Sequence, residues 1–115
     1  MLNLKTGLLL SAALFASSSF ADTQAVELSQ LSNGTEVEAT YMASCFACHS
    51  TGAAGAPKVG PGNADAWTAR LEKGMDQIVT NAIAGINNMP PKGLCFTCND
   101  DDIKLLVEYM IDSSK

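Results

Sequence analysis

The sequence predicts a small all-α domain, and three observations support this fold class. The last segment has apolar residues at the spacing of one helix face, namely Ile103, Leu106, Val107, Met110 and Ile111. Three earlier stretches also have helical signals, and loops rich in Gly and Pro separate them. No stretch has the alternation of apolar and polar residues that is typical of a strand. We therefore expect about four short helices.

The first two predicted helices have start signals at their N-terminal ends. Thr35, followed three residues later by Glu38, fits a capping box, and this helix would end at the first of two Cys-x-x-Cys pairs. Asn63 or Asp65 is expected to cap the second helix, which Gly74 would end.

The other two helices are predicted from their apolar residues and acidic first turns. Asp76 is the expected cap of a helix that turns apolar residues inward up to Ile86. In the last helix, the aspartates at 100–102 lie in or just before the first turn, where the helix dipole favours negative charge. The loop between these helices is stiffened by Pro90 and Pro91.

The N-terminal residues differ in composition from the rest and predict a targeting segment. Residues 1–21 contain one lysine, an apolar run, and small residues where a signal peptidase would cleave. We expect a cleaved secretory signal peptide at 1–21, a flexible arm at 22–33 and one domain at 34–115. The alternative is an uncleaved membrane anchor, although the apolar run is shorter than the ~20 residues that a bilayer requires.

The charge balance of the chain excludes some classes of partner. The chain has 7 Lys or Arg against 12 Asp or Glu, a net charge of −5. Nucleic acid is therefore not expected as a partner, whereas a protein with a basic patch would be attracted. Membrane contact is expected only through partners or through an uncleaved signal peptide.

The first cysteine pair belongs to a pattern that carries chemistry. Cys45, Cys48 and His49 form C-x-x-C-H, a signature of covalent haem attachment. Two thiols at this spacing can add to the two vinyl groups on one edge of a haem, and the next residue then lies under the iron. A neutral imidazole is a strong ligand for iron, so His49 is the predicted proximal ligand. The pattern is short, and it also occurs in metal-binding and redox proteins.

The second axial ligand of such a haem is predicted by elimination. His49 is the single histidine of the chain, so two histidine ligands within one molecule are excluded, and methionine is the next candidate. Met42 is too close to the cysteine pair on the same helix, while Met75 and Met110 are expected in the core. Met89, in the loop with two prolines, is therefore the predicted sixth ligand.

At these residues the chain resembles the class I c-type cytochromes and, within them, the bacterial cytochrome c5 family. The stretches that carry the resemblance are YMASCFACHSTGAAGAPKVG, NNMPPKG, LCFTC and DDIKLLVEYM, which together span most of residues 35–111. The resemblance implies a small class I cytochrome c-like domain around one covalently bound haem c with its iron. It also implies that Tyr41 and Tyr109 lie where the first and last helices cross.

The resemblance further implies roles for residues around the haem. Pro57 is expected to offer its carbonyl to the ring of His49, a contact that fixes the imidazole plane. Arg70 or the ring nitrogen of Trp67 would lie near a haem propionate; alternatively, Trp67 is core and Arg70 is a solvated charge. Apolar residues expected to form either pocket walls or helix core are Val59, Leu71, Ile78, Ile83 and Ile86.

The second pair, Cys95 and Cys98, is followed by Asn99 instead of a histidine. A second haem there would lack its proximal ligand, and the aspartates at 100–102 would disfavour a reactive thiolate. The remaining hypothesis, which the cytochrome c5 resemblance also implies, is a disulfide between Cys95 and Cys98. Such a bridge would lie between the Met89 loop and the last helix.

A haem with both axial positions filled has no vacancy for a substrate, so outer-sphere electron transfer is the predicted function. We expect a one-electron carrier, and not an enzyme, in the periplasm; its partners would be redox proteins such as respiratory complexes or terminal oxidases. Lys58 and Lys92 are expected to border an exposed haem edge, which would also permit a weak dimer. Two alternatives stay open: a haem sensor or enzyme subunit with an open axial site, and a zinc module that uses all four cysteines.

Overall fold

The computed structural model describes residues 29–115, and these residues form an all-α domain, as predicted. The α-helices in this range are α1 (Val37–Ser44), α2 (Phe46–His49), α3 (Asp65–Leu71), α4 (Met75–Ala84) and α5 (Asp100–Asp112). Within the same range, no helix combines the length and apolar character needed to cross a membrane. The predicted signal peptide and residues 22–28 of the predicted arm lie outside the described residues.

The first predicted helix is divided in two at Cys45. The backbone there has φ −112° and ψ −33°, and the chain resumes helical geometry as α2. The predicted capping box of Thr35 and Glu38 is wrong, because the N-cap is Glu36 and its side chain makes no capping hydrogen bond. The Thr35 backbone N–H instead donates to Asn33 Oδ1 at 2.9 Å. Thr35 therefore belongs to the turn before α1 and does not cap the helix.

The starts of α3 and α4 also differ from the predicted caps. The N-cap of α3 is Ala64 and that of α4 is Gly74, and neither helix has a side-chain cap. Asp65 and Asp76 lie inside the first turns, while Asn63 uses its amide to donate to a carbonyl within the preceding loop. Gly74, the predicted stop of one helix, thus begins the next with φ +87°, a conformation that favours glycine.

The core forms where α1 crosses α5. Tyr41 and Tyr109 meet there with ring centroids 5.4 Å apart. The predicted apolar stripe of α5 is buried along its whole length: Ile103, Leu106, Val107, Met110 and Ile111. Removal of these side chains from water is the main favourable contribution to folding.

The N-terminus of α5 has the capping box that the first helix lacks. Asn99 Oδ1 accepts a hydrogen bond from the Asp102 N–H at 2.9 Å, and Asp102 Oδ2 accepts one from the Asn99 N–H at 2.9 Å. Ser32 donates to the same carboxylate from its backbone N–H at 2.7 Å and from its hydroxyl at 2.6 Å. Asp102, which is 2% exposed, therefore joins the start of α5 to the N-terminal segment.

Residues 29–33 are not a flexible arm, and this part of the predicted boundary is wrong. Leu31 is 4% exposed and belongs to the core, and Gln30 forms an antiparallel bridge with Glu36. A single buried leucine among polar residues gives no periodic signal in the sequence. The ordered domain therefore extends upstream of residue 34.

Asp102→Asn is expected to destabilise the fold by about 2 kcal/mol at neutral pH, because an amide cannot accept all the hydrogen bonds that the carboxylate accepts. Burial raises the pKa of Asp102, but the hydrogen bonds from Ser32 and Asn99, with nearby Lys92, outweigh it and lower the pKa below its ordinary 3.8. The ionised carboxylate therefore stabilises the fold above about pH 4, and this contribution is lost as the pH falls through the folded-state pKa.

Urea unfolding at neutral and acidic pH measures this effect. Asp101→Asn is the matched control, because Asp101 lies in the same helical turn and is exposed. The difference between wild type and Asp102→Asn should shrink as the solution is acidified. Equal losses in the two variants would contradict the role given to Asp102.

Candidate functional site

A cavity of about 1330 Å³ lies beside α2, α4 and the loop before α5. All three residues of the predicted haem-attachment pattern, Cys45, Cys48 and His49, line this cavity, and so does Met89. The fold thus brings the predicted donor atoms together from two distant parts of the sequence.

The orientation of His49 is set by the Gly- and Pro-rich loop that follows it. Its Nδ1 atom lies 2.9 Å from the Pro57 carbonyl oxygen; because a carbonyl only accepts, Nδ1 carries the proton. The neutral ring then has its lone pair on Nε2, the form that binds a metal. The Val59 N–H donates to the His49 carbonyl at 2.8 Å, so the loop holds this residue by its ring and by its backbone.

Trp67 fixes the same loop from α3. Its ring N–H donates to the Lys58 carbonyl at 3.0 Å, and its ring lies 15° from parallel to that of His49, with centroids 6.3 Å apart. The N–H is thus used within the protein. The indole is a buried wall of the cavity. Arg70 also lines the cavity and donates to the Ala66 carbonyl one turn earlier.

The two cysteines of the C-x-x-C-H pattern have different environments. Cys45 is buried, and burial raises the pKa of its thiol to about 11, so the thiol is neutral at physiological pH. Cys48 is exposed. The two cysteines do not form a disulfide with each other, and both line the cavity.

The Met89 loop packs directly on Gly85. A Cβ at position 85 would lie 2.9 Å from the Met89 carbonyl oxygen and 3.0 Å from the Pro91 nitrogen. Ile86 and Met89 exchange two backbone hydrogen bonds, at 3.1 and 2.9 Å, which close a tight turn. The position of Met89 is therefore fixed relative to the end of α4.

Cys95 and Cys98 form a disulfide bond in the loop between Met89 and α5. Both cysteines are buried, whereas Phe96 between them is 89% exposed. The bond uses two of the four thiols that a zinc site made only of cysteines requires. The zinc alternative therefore does not fit this structure.

Comparisons with known proteins identify relatives of this chain. The family model described as "Cytochrome C oxidase, cbb3-type, subunit III" matches residues 32–110. Cytochrome c5 of Ectopseudomonas mendocina is 46% identical over 68 residues, which cover 57% of this chain and 76% of the relative. Cytochrome c5 of Azotobacter vinelandii is 41% identical over 80 residues, which cover 68% and 90%. The chain belongs to the class I c-type cytochromes, in the cytochrome c5 family.

A solved structure supports the same fold for this cytochrome. A chain of the "Crystal structure of electron transfer complex of nitrite reductase with cytochrome c" matches it with a TM-score of 0.61 and 32% identity, covering 68% of this chain and 93% of that one. Together with the relatives, this confirms the predicted fold class and the predicted cofactor, a covalently bound haem c with its iron.

The residues around the cavity fit a haem c. The two thiols, the Nε2 atom of His49 and the thioether of Met89 form a donor set that c-type haem uses. Among the described residues, no Asp or Glu lines the cavity, whereas Arg70 and Lys73 do. This sign of charge suits the carboxylates that a haem carries.

The apolar residues expected as pocket walls or as helix core differ in where they lie. Ile78 and Ile86 line the cavity, whereas Val59, Leu71 and Ile83 do not. Val59 and Ile83 pack against the core, and Leu71 is 39% exposed. Helical periodicity identifies a buried face, but it does not tell which neighbour covers that face.

Three polar side chains of the cavity were not predicted from the sequence. Lys73, Gln77 and Asn81 line it, and Gln77 donates to Asn81 Oδ1 at 3.0 Å. The spacing of four residues between Gln77 and Asn81 is the signal that places them on one face of α4. No sequence signal distinguishes this face from a solvated one.

Gly85→Ala is expected to destabilise the haem-loaded cytochrome by about 2 kcal/mol more than Gly74→Ala, because only the first adds an atom to a filled space. The two glycines have nearly the same backbone, with φ +84°, ψ 148° and φ +87°, ψ 152°. Among residues 29–115, nothing lies within 4 Å of a Cβ added at position 74, so this variant is the control for backbone strain. Thermal unfolding followed by circular dichroism measures the difference, and equal losses would contradict the tight packing of the loop.

Proposed function

We propose that the protein is a periplasmic one-electron carrier in which Cys45 and Cys48 hold the haem by thioether bonds and His49 and Met89 bind its iron. The observation that carries the proposal is the convergence of these four residues on one cavity. The relatives named cytochrome c5 support an electron carrier with one haem.

The protein's contribution is to fix the ligands and to tune the iron. The haem supplies an iron that accepts and releases one electron. The Pro57 carbonyl, 2.9 Å from His49 Nδ1, fixes the imidazole plane and increases the basicity of the ring. A methionine thioether at the sixth position and an apolar pocket both raise the reduction potential.

Rapid electron transfer requires that the ligands move little between the two oxidation states. The imidazole of His49 is held through its Nδ1 atom, and the backbone of Met89 is held by the tight turn and by Gly85. Both ligands can therefore stay in place when the iron changes its charge.

A sensor or enzyme with an open axial site would require that Met89 stays away from the iron. A Cβ on Gly93 would lie 3.9 Å from Met89 Cε and 4.0 Å from Cys45 Sγ, so the thioether lies in the same part of the cavity as an attachment thiol. This proximity favours the carrier over the alternatives with an open site.

The charges around the cavity support docking to other redox proteins. Arg70 and Lys73 line the cavity, although the chain as a whole is acidic with a net charge of −5. Lys58 and Lys92, predicted to border the haem edge, are not among the lining residues. The separation between the positive charges at the cavity and the negative charge of the rest of the chain orients the molecule as it approaches a partner. We propose respiratory complexes and terminal oxidases as partners, with weak self-association through the same face.

Export follows from the composition of residues 1–21, which are typical of a signal peptide. The first experiment is a reduced-minus-oxidised visible spectrum and an intact mass of the exported protein. We expect a c-type α band and the mass of a chain that begins at Asp22 with one haem added. A protein without this band would contradict the proposal.

Met89→Ala is expected to lower the reduction potential by on the order of 0.1 V, within the roughly 0.8 V range that axial ligands cover. It should also remove the Met–iron charge-transfer band and allow cyanide or carbon monoxide to bind quickly. Met42→Ala is the control, because Met42 is 51% exposed and lies outside the cavity. An unchanged spectrum in Met89→Ala would show that another group binds the iron.

A further inference from the structure

We infer that Lys92 is a positioning residue that ties the Met89 loop to the start of α5 and thereby limits how easily Met89 leaves the iron. This inference rests on the proposed axial role of Met89. Lys92 follows Met89 by three residues, across Pro90 and Pro91, so the chain between the two residues has little freedom.

The Lys92 side chain makes two contacts with the same end of α5. Its Nζ atom lies 2.9 Å from Asp100 Oδ1 and donates a hydrogen bond to the Cys98 carbonyl at 3.1 Å. The Cys98 carbonyl belongs to a loop that the disulfide closes. The side chain is therefore anchored to a rigid part of the protein.

The backbone at Lys92 explains why an anchor is needed. Lys92, Gly93 and Leu94 all have positive φ, at +56°, +57° and +65°. Residues with a Cβ disfavour this region, so two of the three positions are strained. The Lys92 carbonyl accepts a hydrogen bond from the Cys95 N–H at 3.0 Å, and the side-chain contacts hold the same residue from the other direction.

The position of Gly93 links the strained backbone at Lys92 and Leu94 to the Met89 side chain. A Cβ on Gly93 would lie 3.9 Å from Met89 Cε, so the residue next to Lys92 packs beside the methionine side chain. If the Lys92 anchor is lost, the strained turn can relax, and Met89 loses a wall that holds it in place. We therefore expect the Met–iron bond to be exchanged more readily, while the helices keep their positions.

Binding of imidazole to the oxidised haem protein measures this effect, because imidazole must displace Met89. Lys92→Met removes both contacts but keeps the unbranched stem, and it should tighten imidazole binding by about fivefold. Asp100→Asn removes only the ion pair, which is partly exposed, and should tighten binding by about twofold. Lys92→Arg retains the positive charge and should restore most of the wild-type value.

Two controls separate this role from a change in net charge. Lys104→Met removes a positive charge from an exposed position later in α5, and Asp101→Asn removes a negative charge from the same helical turn as Asp100. Both should bind imidazole like the wild type. If Lys92→Met also binds imidazole like Lys104→Met, the inference is wrong, even if its thermal stability is lower.

The experiment also distinguishes a failure of this inference from a failure of the proposed ligand. If the wild type lacks the Met–iron band and binds imidazole as tightly as Met89→Ala does, Met89 is not the sixth ligand and both proposals fall. If the wild type has the band and only the Lys92 effect is absent, the carrier proposal stands alone. If Lys92→Met does not accumulate as folded haem protein, imidazole binding is compared between Asp100→Asn and Asp101→Asn. Equal binding by these two variants would overturn the inference.

Discussion

The hydrogen bond from His49 Nδ1 to the Pro57 carbonyl determines how the loop after α2 is placed, and through that loop it positions α3. The carbonyl of Lys58, next in sequence, accepts from the Trp67 ring, and the Val59 N–H returns to the His49 carbonyl. Three consecutive residues of the loop thus make one contact each with the site or with α3. The order of a loop rich in glycine depends on such contacts, because glycine itself favours the unfolded chain.

The other side of the site depends on a different kind of constraint, close backbone packing. Gly85 lets the Met89 carbonyl and Pro91 approach the end of α4, and the disulfide fixes the chain six residues beyond Met89. His49 is therefore held by hydrogen bonds, and the Met89 loop is held by packing and by covalent closure.

The fold class and the cofactor could be predicted from the sequence, and so could the meeting of Cys45, Cys48, His49 and Met89 at one cavity, because each depends on a short pattern or on a count. The single histidine left few candidates for a second iron ligand, and the apolar residues of α5 have a clear helical spacing. The helix starts could not be predicted in the same way. Thr35 and Glu38 have the right spacing for a capping box, but the Thr35 N–H already donates to Asn33. The capping box that does form, at Asn99 and Asp102, uses a carboxylate that Ser32 also binds. Competition between hydrogen-bond partners, some of them distant in sequence, determines which of these sequence signals forms a helix cap.

The carboxylate of Asp102 serves two structures at once, the start of α5 at the Asn99 N–H and the N-terminal segment at Ser32. An acid with one role can be replaced during evolution by any residue that fills that role. An acid with two roles can be replaced without loss only by a residue that fills both. Positions 32 and 102 should therefore covary among related sequences, because the Ser32 hydroxyl donates to the Asp102 carboxylate. Asn99 can stay when residue 102 changes, because its side chain accepts from the backbone N–H of that residue.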